Sequence, residues 1–83
     1  MSSDVLISNI TRIHTTEMGK DRIAANLKLD LDDVVDYCKS KILDVRCEIH
    51  KRGKNWYCRI DGIEITVNAH SYTIITAHLV RDK

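Results

Sequence analysis

Apolar residues in this chain change their spacing near residue 45. Before that point they recur every three or four positions, the period of an amphipathic helix, and after it they alternate with polar residues, the period of a half-buried strand. The change predicts a helical part at about 4–43 and a sheet at about 45–80. Because 83 residues support only one hydrophobic core, we expect a single domain spanning residues 1–83.

Three helices fit the first part of the pattern. We predict the first over Asp4–His14, the second from a capping pair at Thr15–Thr16 to Leu27, and the third over Leu31–Leu43. The third has aspartates in its first turn and lysines in its last, an arrangement that complements the helix dipole.

Four strands fit the second part of the pattern. The predicted strands are Val45–Lys51, Trp56–Ile60, Ile63–Ala69 and Tyr72–Val80. Their connections are too short for crossovers, so neighbouring strands must be antiparallel. The predicted fold class is therefore α+β, with three N-terminal helices packed on one face of a four-stranded antiparallel sheet.

Strand alternation divides the side chains between the two faces of the predicted sheet. The face expected to close the core carries Cys47, Ile49, Trp56, Cys58, Ile60, Ile63, Ile65, Val67, Ala69, Ile75, Ala77 and Leu79. The other face is expected to carry His50, Tyr57, Arg59, Thr66, Asn68, Ile74, Thr76 and His78, with His70 at its rim. A polar face is often only a solvated surface, but histidine, arginine and tyrosine together make this one a candidate site.

Charge indicates a second candidate surface. The formal net charge of +1 gives no overall attraction to nucleic acid, so binding requires a local patch. The segment 51–54, Lys-Arg-Gly-Lys, supplies one at a predicted hairpin tip beside two aromatic residues. Our leading hypothesis is a small binding domain whose ligand is RNA or DNA. The residues predicted to bind it are His50, Lys51, Arg52, Lys54, Tyr57, Asn68, Tyr72 and Thr76.

Two alternatives stay open at this point. His70 and His78 could share acid–base work while Arg59 stabilises a phosphorane, the set of groups that metal-free RNA cleavage requires. The order of helices followed by an antiparallel sheet resembles that of small toxin-type ribonucleases. The other alternative is a protein-interaction or inhibitor module, including a homodimer that pairs sheet edges. No catalytic motif favours an enzyme over a binding domain, and we lean against an enzyme.

The cysteines and the N-terminus indicate the compartment. Cys38, Cys47 and Cys58 include no C-x-x-C pair, which is typical of free thiols in a reducing cytoplasm rather than of disulfides or a metal site. Segment 1–4 lacks the features of a secretion signal, and no segment has the apolar length of a membrane helix. We therefore expect a cytoplasmic protein with no membrane partner, no metal and no cofactor.

Several segments together resemble a known family. The two most specific are Gly53–Tyr57 (G-K-N-W-Y) and Ser71–His78 (S-Y-T-I-I-T-A-H). Shorter matches are Arg22-Ile23, Asn26-Leu27, Val35, Cys38-Lys39 and Ile65–Asn68. Over nearly its whole length the chain resembles a bacterial family catalogued as domain of unknown function 3781. The resemblance implies a cytoplasmic protein of a bacterium or phage, and it implies no activity, cofactor or catalytic residue.

Overall fold

Three α-helices precede four strands in the computed structural model, which describes residues 2–28 and 33–80. In chain order the elements are α1 (Ser2–Ser8), a 3-10 turn (Ile10–Arg12), α2 (Glu17–Leu27), α3 (Val34–Leu43), β1 (Glu48–Arg52), β2 (Asn55–Ile60), β3 (Ile63–Asn68) and β4 (Ile74–Leu79). The strands form one antiparallel sheet in the order β1-β2-β3-β4. The α+β class and the antiparallel sheet are thus confirmed.

The first helix is shorter than predicted. It ends at Ser8 and not at His14, because the Asn9 side chain donates a hydrogen bond to the Val5 carbonyl at 2.8 Å and competes with the backbone donors that would extend the helix. After the 3-10 turn, the backbone of His14 is extended. Its amide and carbonyl both bond to segment 72–74, which ties the chain between the helices to the start of β4.

Side-chain caps define the starts of the other two helices. Thr16 caps α2, since its hydroxyl accepts a hydrogen bond from the Gly19 amide at 2.9 Å. Asp33 caps α3 in the same way, accepting from the Asp36 amide at 2.8 Å. The helix therefore begins directly after Asp33, and its predicted start at Leu31 lies outside the described residues.

The first strand begins three residues later than predicted. The Asp44 carboxylate accepts hydrogen bonds from the backbone amide and the Nε of Arg46, at 2.9 and 3.1 Å. These bonds stabilise a turn, so the chain becomes a strand only at Glu48. Val45, predicted to open the strand, is 98% exposed.

A bulge corrects the prediction for the last strand. Val67 pairs with Ile74 and Thr66 pairs with Thr76, which leaves Ile75 as an extra residue in β4. Ile74 consequently faces the core at 1% exposure, while Ile75 is 47% exposed, the reverse of the prediction. A prediction from strict alternation cannot anticipate an inserted residue. The insertion reverses the face on which every preceding residue of the strand lies.

Buried residues from all three helices join one cluster with alternate residues of the strands. The helical members are Leu6, Ile23, Leu27, Val34, Cys38 and Ile42, and the strand members include Trp56, Cys58, Ile60, Ile63, Ile65, Val67, Ile74 and Ala77. The single tryptophan, Trp56, is 2% exposed and anchors the hairpin end of this core. Leu79 was predicted to face the core, but it is half-exposed on the edge strand β4.

Candidate functional site

The basic loop predicted from the sequence is a two-residue hairpin turn between β1 and β2. Arg52 pairs with Asn55 across the turn, and Gly53 has a φ of +62°. A glycine with positive φ at the first turn position matches the twist of a tight hairpin. The pleat then directs Lys51 and Arg52 to opposite faces of the sheet, with Lys54 at the tip.

The turn between β3 and β4 lies beside this hairpin. The Ala69 amide donates to the Lys54 carbonyl at 2.7 Å, which holds the two turns together. Asn68 shapes the second turn, because its side-chain oxygen accepts from the His70 amide at 2.8 Å. The two turns and the adjoining strand ends form what we call the basic end of the sheet, residues 50–57 and 68–72.

Tyr72 closes the second turn in an uncommon backbone conformation. Its φ is +61°, in the left-handed region that bulky residues rarely occupy. Its ring packs against Trp56 with 5.5 Å between centroids, and the Arg12 guanidinium lies 4.6 Å from its centroid. Tyr72 was predicted to contact a ligand, but at 7% exposure it can offer only the margin of its ring.

The face of the sheet opposite the core is arranged in cross-strand rows. Starting from the hairpin, the rows are Arg52–Asn55–Asn68, then His50–Tyr57–Thr66–Thr76, and then Glu48–Arg59–Glu64–His78. The first two rows contain no carboxylate, and in them the Arg52 guanidinium lies 5.6 Å from the centroid of the half-buried Tyr57 ring. A cation and an aromatic ring therefore stand side by side at the basic end.

In the third row, Glu64 contacts the residues on both sides of it. Its carboxylate contacts Arg59 Nη2 at 3.2 Å and His78 Nε2 at 3.7 Å. The structure thus brings together two of the three residues proposed for RNA cleavage, through a residue that the sequence analysis did not select. Glu64 and Thr66 are two positions apart in β3, so they lie on the same face of the sheet. Strand alternation was therefore the signal in the sequence that could have identified Glu64.

His70 lies far from this row. Ile74 and His78 lie opposite Val67 and Glu64, three positions apart on β3 and therefore about 10 Å apart along the strand, and His70 precedes β4 at the Ile74 end. His50 and His78 lie on the two edge strands, about 14 Å apart at the usual strand spacing. The structure therefore does not assemble the His70–His78 acid–base pair.

A cleft of about 690 Å³ opens at the basic end, and α1 contributes one of its residues. It is lined by Val5, Lys51, Gly53, Lys54, Trp56, Asn68, Ala69, His70, Ser71 and Tyr72. Among the side chains that the structure describes, the lining includes two lysines and a histidine and no aspartate or glutamate. The indole N–H of Trp56 is buried and has no hydrogen-bond partner among the described groups. The cleft is therefore lined by positively charged side chains.

The eight residues predicted to bind a ligand divide between two places. On the face opposite the core lie His50, Arg52, Tyr57 and Thr76, and around the cleft lie Lys51, Lys54 and Tyr72, while Asn68 belongs to the first row of that face and also lines the cleft. Because the sheet separates the two sets, they do not form one continuous surface. Both sets nevertheless meet at the hairpin tip.

Ser71 is a cleft residue that the sequence analysis missed. Its hydroxyl lies 2.8 Å from Thr73 Oγ1, which in turn lies 3.1 Å from His14 Nε2. These contacts fix the second turn to the segment before α2. Because His14 and Thr73 are far apart in sequence, no local pattern could have identified the cluster.

Charges at the far end of the sheet are paired with one another. Lys41 Nζ contacts Asp61 Oδ2 at 2.8 Å, and Arg46 contacts Asp44 at 3.0 Å and Asp61 at 3.4 Å. Hydrogen bonds from the Arg46 side chain and backbone lower the pKa of Asp44 to about 2. The hydrogen bond from Lys41 likewise lowers the pKa of Asp61. This end therefore differs from the basic end, where cations cluster without carboxylates.

The cysteines occupy packing positions. Cys38 and Cys58 are buried, and Cys47 is half-buried. Burial raises the pKa of Cys38 to about 12, and a hydrogen bond with Cys47 together with burial raises the pKa of Cys58. Within ranges 2–28 and 33–80, no group of three His, Cys, Asp or Glu side chains is placed to hold a metal ion.

Comparison with known proteins identifies the family. A family model described as "Protein of unknown function (DUF3781)" matches residues 7–78. The chain belongs to this family. The matched region of the DUF3781 chain includes the basic end and all of its cleft except Val5. No curated protein and no solved structure matches the DUF3781 chain significantly. No helix in the described part is long and apolar enough to cross a membrane.

Proposed function

We propose that this DUF3781 protein binds single-stranded nucleic acid across the basic end of its sheet. The observation that carries the proposal is the distribution of charge. Lys51, Arg52 and Lys54 lie within one hairpin, and the two cross-strand rows nearest to it contain no carboxylate. Phosphate contacts by lysine and arginine supply most of the affinity in sequence-independent nucleic-acid binding.

The Arg52–Tyr57 pair supports a single strand over a duplex. Unpaired bases stack on aromatic rings, and an adjacent guanidinium strengthens such contacts. Tyr57 is half-buried, so one side of its ring is held by the sheet while the remainder is accessible. The proposal requires all three helices to lie on the other face of the sheet, which leaves the Tyr57 face open to the strand.

The edge strand β1 is poorly suited to the homodimer alternative, in which two sheets pair edge to edge. Its sequence, Glu-Ile-His-Lys-Arg, is charged or polar at four of its five positions, and charged edges disfavour pairing with a second sheet. A protein partner with an acidic surface would still fit the basic end. Such a partner would compete with RNA for binding.

Salt dependence tests the proposal. We expect a fluorescein-labelled single-stranded RNA to bind at low salt in fluorescence anisotropy, with affinity falling log-linearly as salt rises. Removing two phosphate contacts with Arg52→Ala plus Lys54→Ala should reduce the salt slope by about 1.4, at about 0.7 per contact.

The matched control removes one arginine and one lysine from the helices, with Arg22→Ala plus Lys39→Ala. It carries the same net charge as the test variant. We expect its slope to equal that of the unaltered protein. Equal losses in both variants, or no binding at low salt, would contradict the proposal.

A second function is favoured by the cluster around Glu64. A shallow groove of about 220 Å³, lined by Glu48, His50, Arg52, Tyr57, Arg59 and Glu64, connects this cluster with the basic end. A bound strand could therefore reach Arg59, which would stabilise a phosphorane, and Glu64 and His78, which would exchange protons with the 2′-hydroxyl and the leaving group.

Cleavage of RNA in the presence of EDTA tests this second function. We expect His78→Ala and Glu64→Gln each to reduce cleavage about 100-fold or more while RNA affinity is retained. DNA of the same sequence lacks the 2′-hydroxyl and should stay intact. If the unaltered protein leaves RNA uncut, or if both variants cleave normally, the enzymatic proposal fails and strand binding stands alone.

A further inference from the structure

The cleft at the basic end has a stronger positive charge than one backbone phosphate requires. Two lysines, Lys51 and Lys54, and one histidine, His70, line the same opening, and none of the described side chains that line it is a carboxylate. A phosphodiester within a strand carries a single negative charge. A phosphomonoester carries between about −1.5 and −2 at neutral pH and presents three acceptor oxygens. The charge of the cleft therefore matches a monoester better than a diester.

The polar groups of the cleft are donors that suit such a ligand. Asn68 contributes a side-chain amide whose oxygen is already engaged by backbone amides and by the Ser71 hydroxyl, so its NH2 group is the available donor. Trp56 lines the cleft with its ring and is almost fully buried, so the donors that a ligand meets are those of the lysines, His70 and Asn68.

The rest of the lining suits the remainder of a nucleotide. Val5 and Ala69 are apolar, and the margins of the Trp56 and Tyr72 rings complete the wall. The volume of about 690 Å³ lies within the range of about 300–1,000 Å³ that is usual for small-ligand sites. A base or sugar could therefore occupy the apolar part while the phosphate meets the lysines.

We infer that the cleft binds the phosphomonoester of a nucleotide. Two kinds of ligand carry this phosphomonoester group: a free mononucleotide and the phosphorylated end of a nucleic-acid strand. The inference rests on the proposed function in one respect, because the lysines of the cleft belong to the same hairpin that is proposed to bind the strand. The cleft and the Arg52–Tyr57 pair lie on different sides of the sheet, so each can be disabled separately.

The single tryptophan provides the readout. We expect adenosine monophosphate to change the fluorescence of Trp56, and adenosine, which lacks the phosphate, to leave it unchanged. A 5′-phosphorylated RNA should bind at least about tenfold more tightly than the same RNA with a 5′-hydroxyl, because charge-assisted hydrogen bonds are lost with the phosphate. A response to the mononucleotide alone identifies the free nucleotide as the source. A 5′-phosphate advantage identifies the strand end.

Variants separate this inference from strand binding. His70→Ala, at an exposed turn position outside the hairpin, should abolish the response to the phosphate. Lys54→Ala should abolish it too but also weaken strand binding, and Lys39→Ala on α3 is the control. Tyr57→Ala should weaken the binding of both RNAs equally and preserve the 5′-phosphate advantage. If adenosine monophosphate leaves Trp56 unchanged and the 5′-phosphate gives no advantage, the inference is overturned, whether or not the RNA binds. If the fluorescence response survives Lys54→Ala and His70→Ala, the cleft is not the site.

Discussion

Asp44 shapes the turn before the first strand and also pairs with a cation at the far end of the sheet. Its carboxylate accepts from the backbone and side chain of Arg46, which ends the helical part of the chain and delays the first strand. The pKa of Asp44 falls to about 2, against an ordinary value of 3.8. Because Arg46 and Lys41 are engaged here, the far end of the sheet offers less positive charge to a ligand than the basic end.

The low pKa of Asp44 gives a prediction about acid stability. A carboxyl whose pKa is lower in the folded protein contributes stability above its unfolded pKa and loses that contribution as pH falls towards the folded pKa. The contribution of Asp44 should therefore fade between about pH 4 and pH 2. Arg46→Ala should raise the pKa of Asp44 towards 3.8, as measured by NMR titration of its carboxyl carbon.

Arg46→Lys separates the causes of this shift. It keeps the positive charge but loses the paired hydrogen bonds of the guanidinium, so the pKa of Asp44 should lie between the values in the original protein and in Arg46→Ala. A pKa that stays near 2 in Arg46→Ala would show that the side-chain hydrogen bonds of Arg46 are not its main cause, because alanine keeps the backbone amide.

At the scale of the elements, the last strand limits what the sequence could predict. Alternation correctly places Trp56, Cys58 and Ile65 towards the core, and the predicted end of the second strand at Ile60 and start of the third at Ile63 are those observed. The bulge at Ile75 leaves no comparable mark, because isoleucine suits either face of a strand. Which isoleucine is buried depends on how β4 pairs with β3, and pairing register is a long-range property.

The two neighbouring isoleucines provide a direct comparison. Ile74→Ala removes a fully buried side chain and should lower the free energy of unfolding by about 2–5 kcal/mol. Ile75→Ala removes a half-exposed side chain and should cost less than about 1 kcal/mol. Urea denaturation followed by circular dichroism measures both. Equal losses, or a larger loss at Ile75, would contradict the bulged register.

At the scale of the whole molecule, the candidate site is formed by turns that meet only in the folded chain. The sequence indicated the basic hairpin and several polar residues near the second turn, since charge and alternation are local patterns. It did not reveal the cleft between the turns, because the cleft depends on the Ala69–Lys54 backbone bond and on the left-handed conformation of Tyr72. It also did not separate the predicted binding residues into the two sides of the sheet.

The hairpin, the Arg52–Tyr57 pair and the cleft together make one end of the molecule the expected binding surface. The opposite end carries the paired charges of Lys41, Asp44, Arg46 and Asp61. This difference between the two ends predicts where on the protein a nucleic-acid strand binds, whatever the base sequence of the strand.

Amide chemical-shift mapping tests that location most directly. The 15N-labelled protein would be titrated with a short single-stranded RNA at low salt, with the chemical shift of each amide followed. We predict that the largest shifts fall in residues 50–57 and 68–72, and that they diminish as salt is added. Shifts centred on residues 41–46 and 61–62, or no shifts at all, would contradict the assignment of the basic end as the nucleic-acid interface.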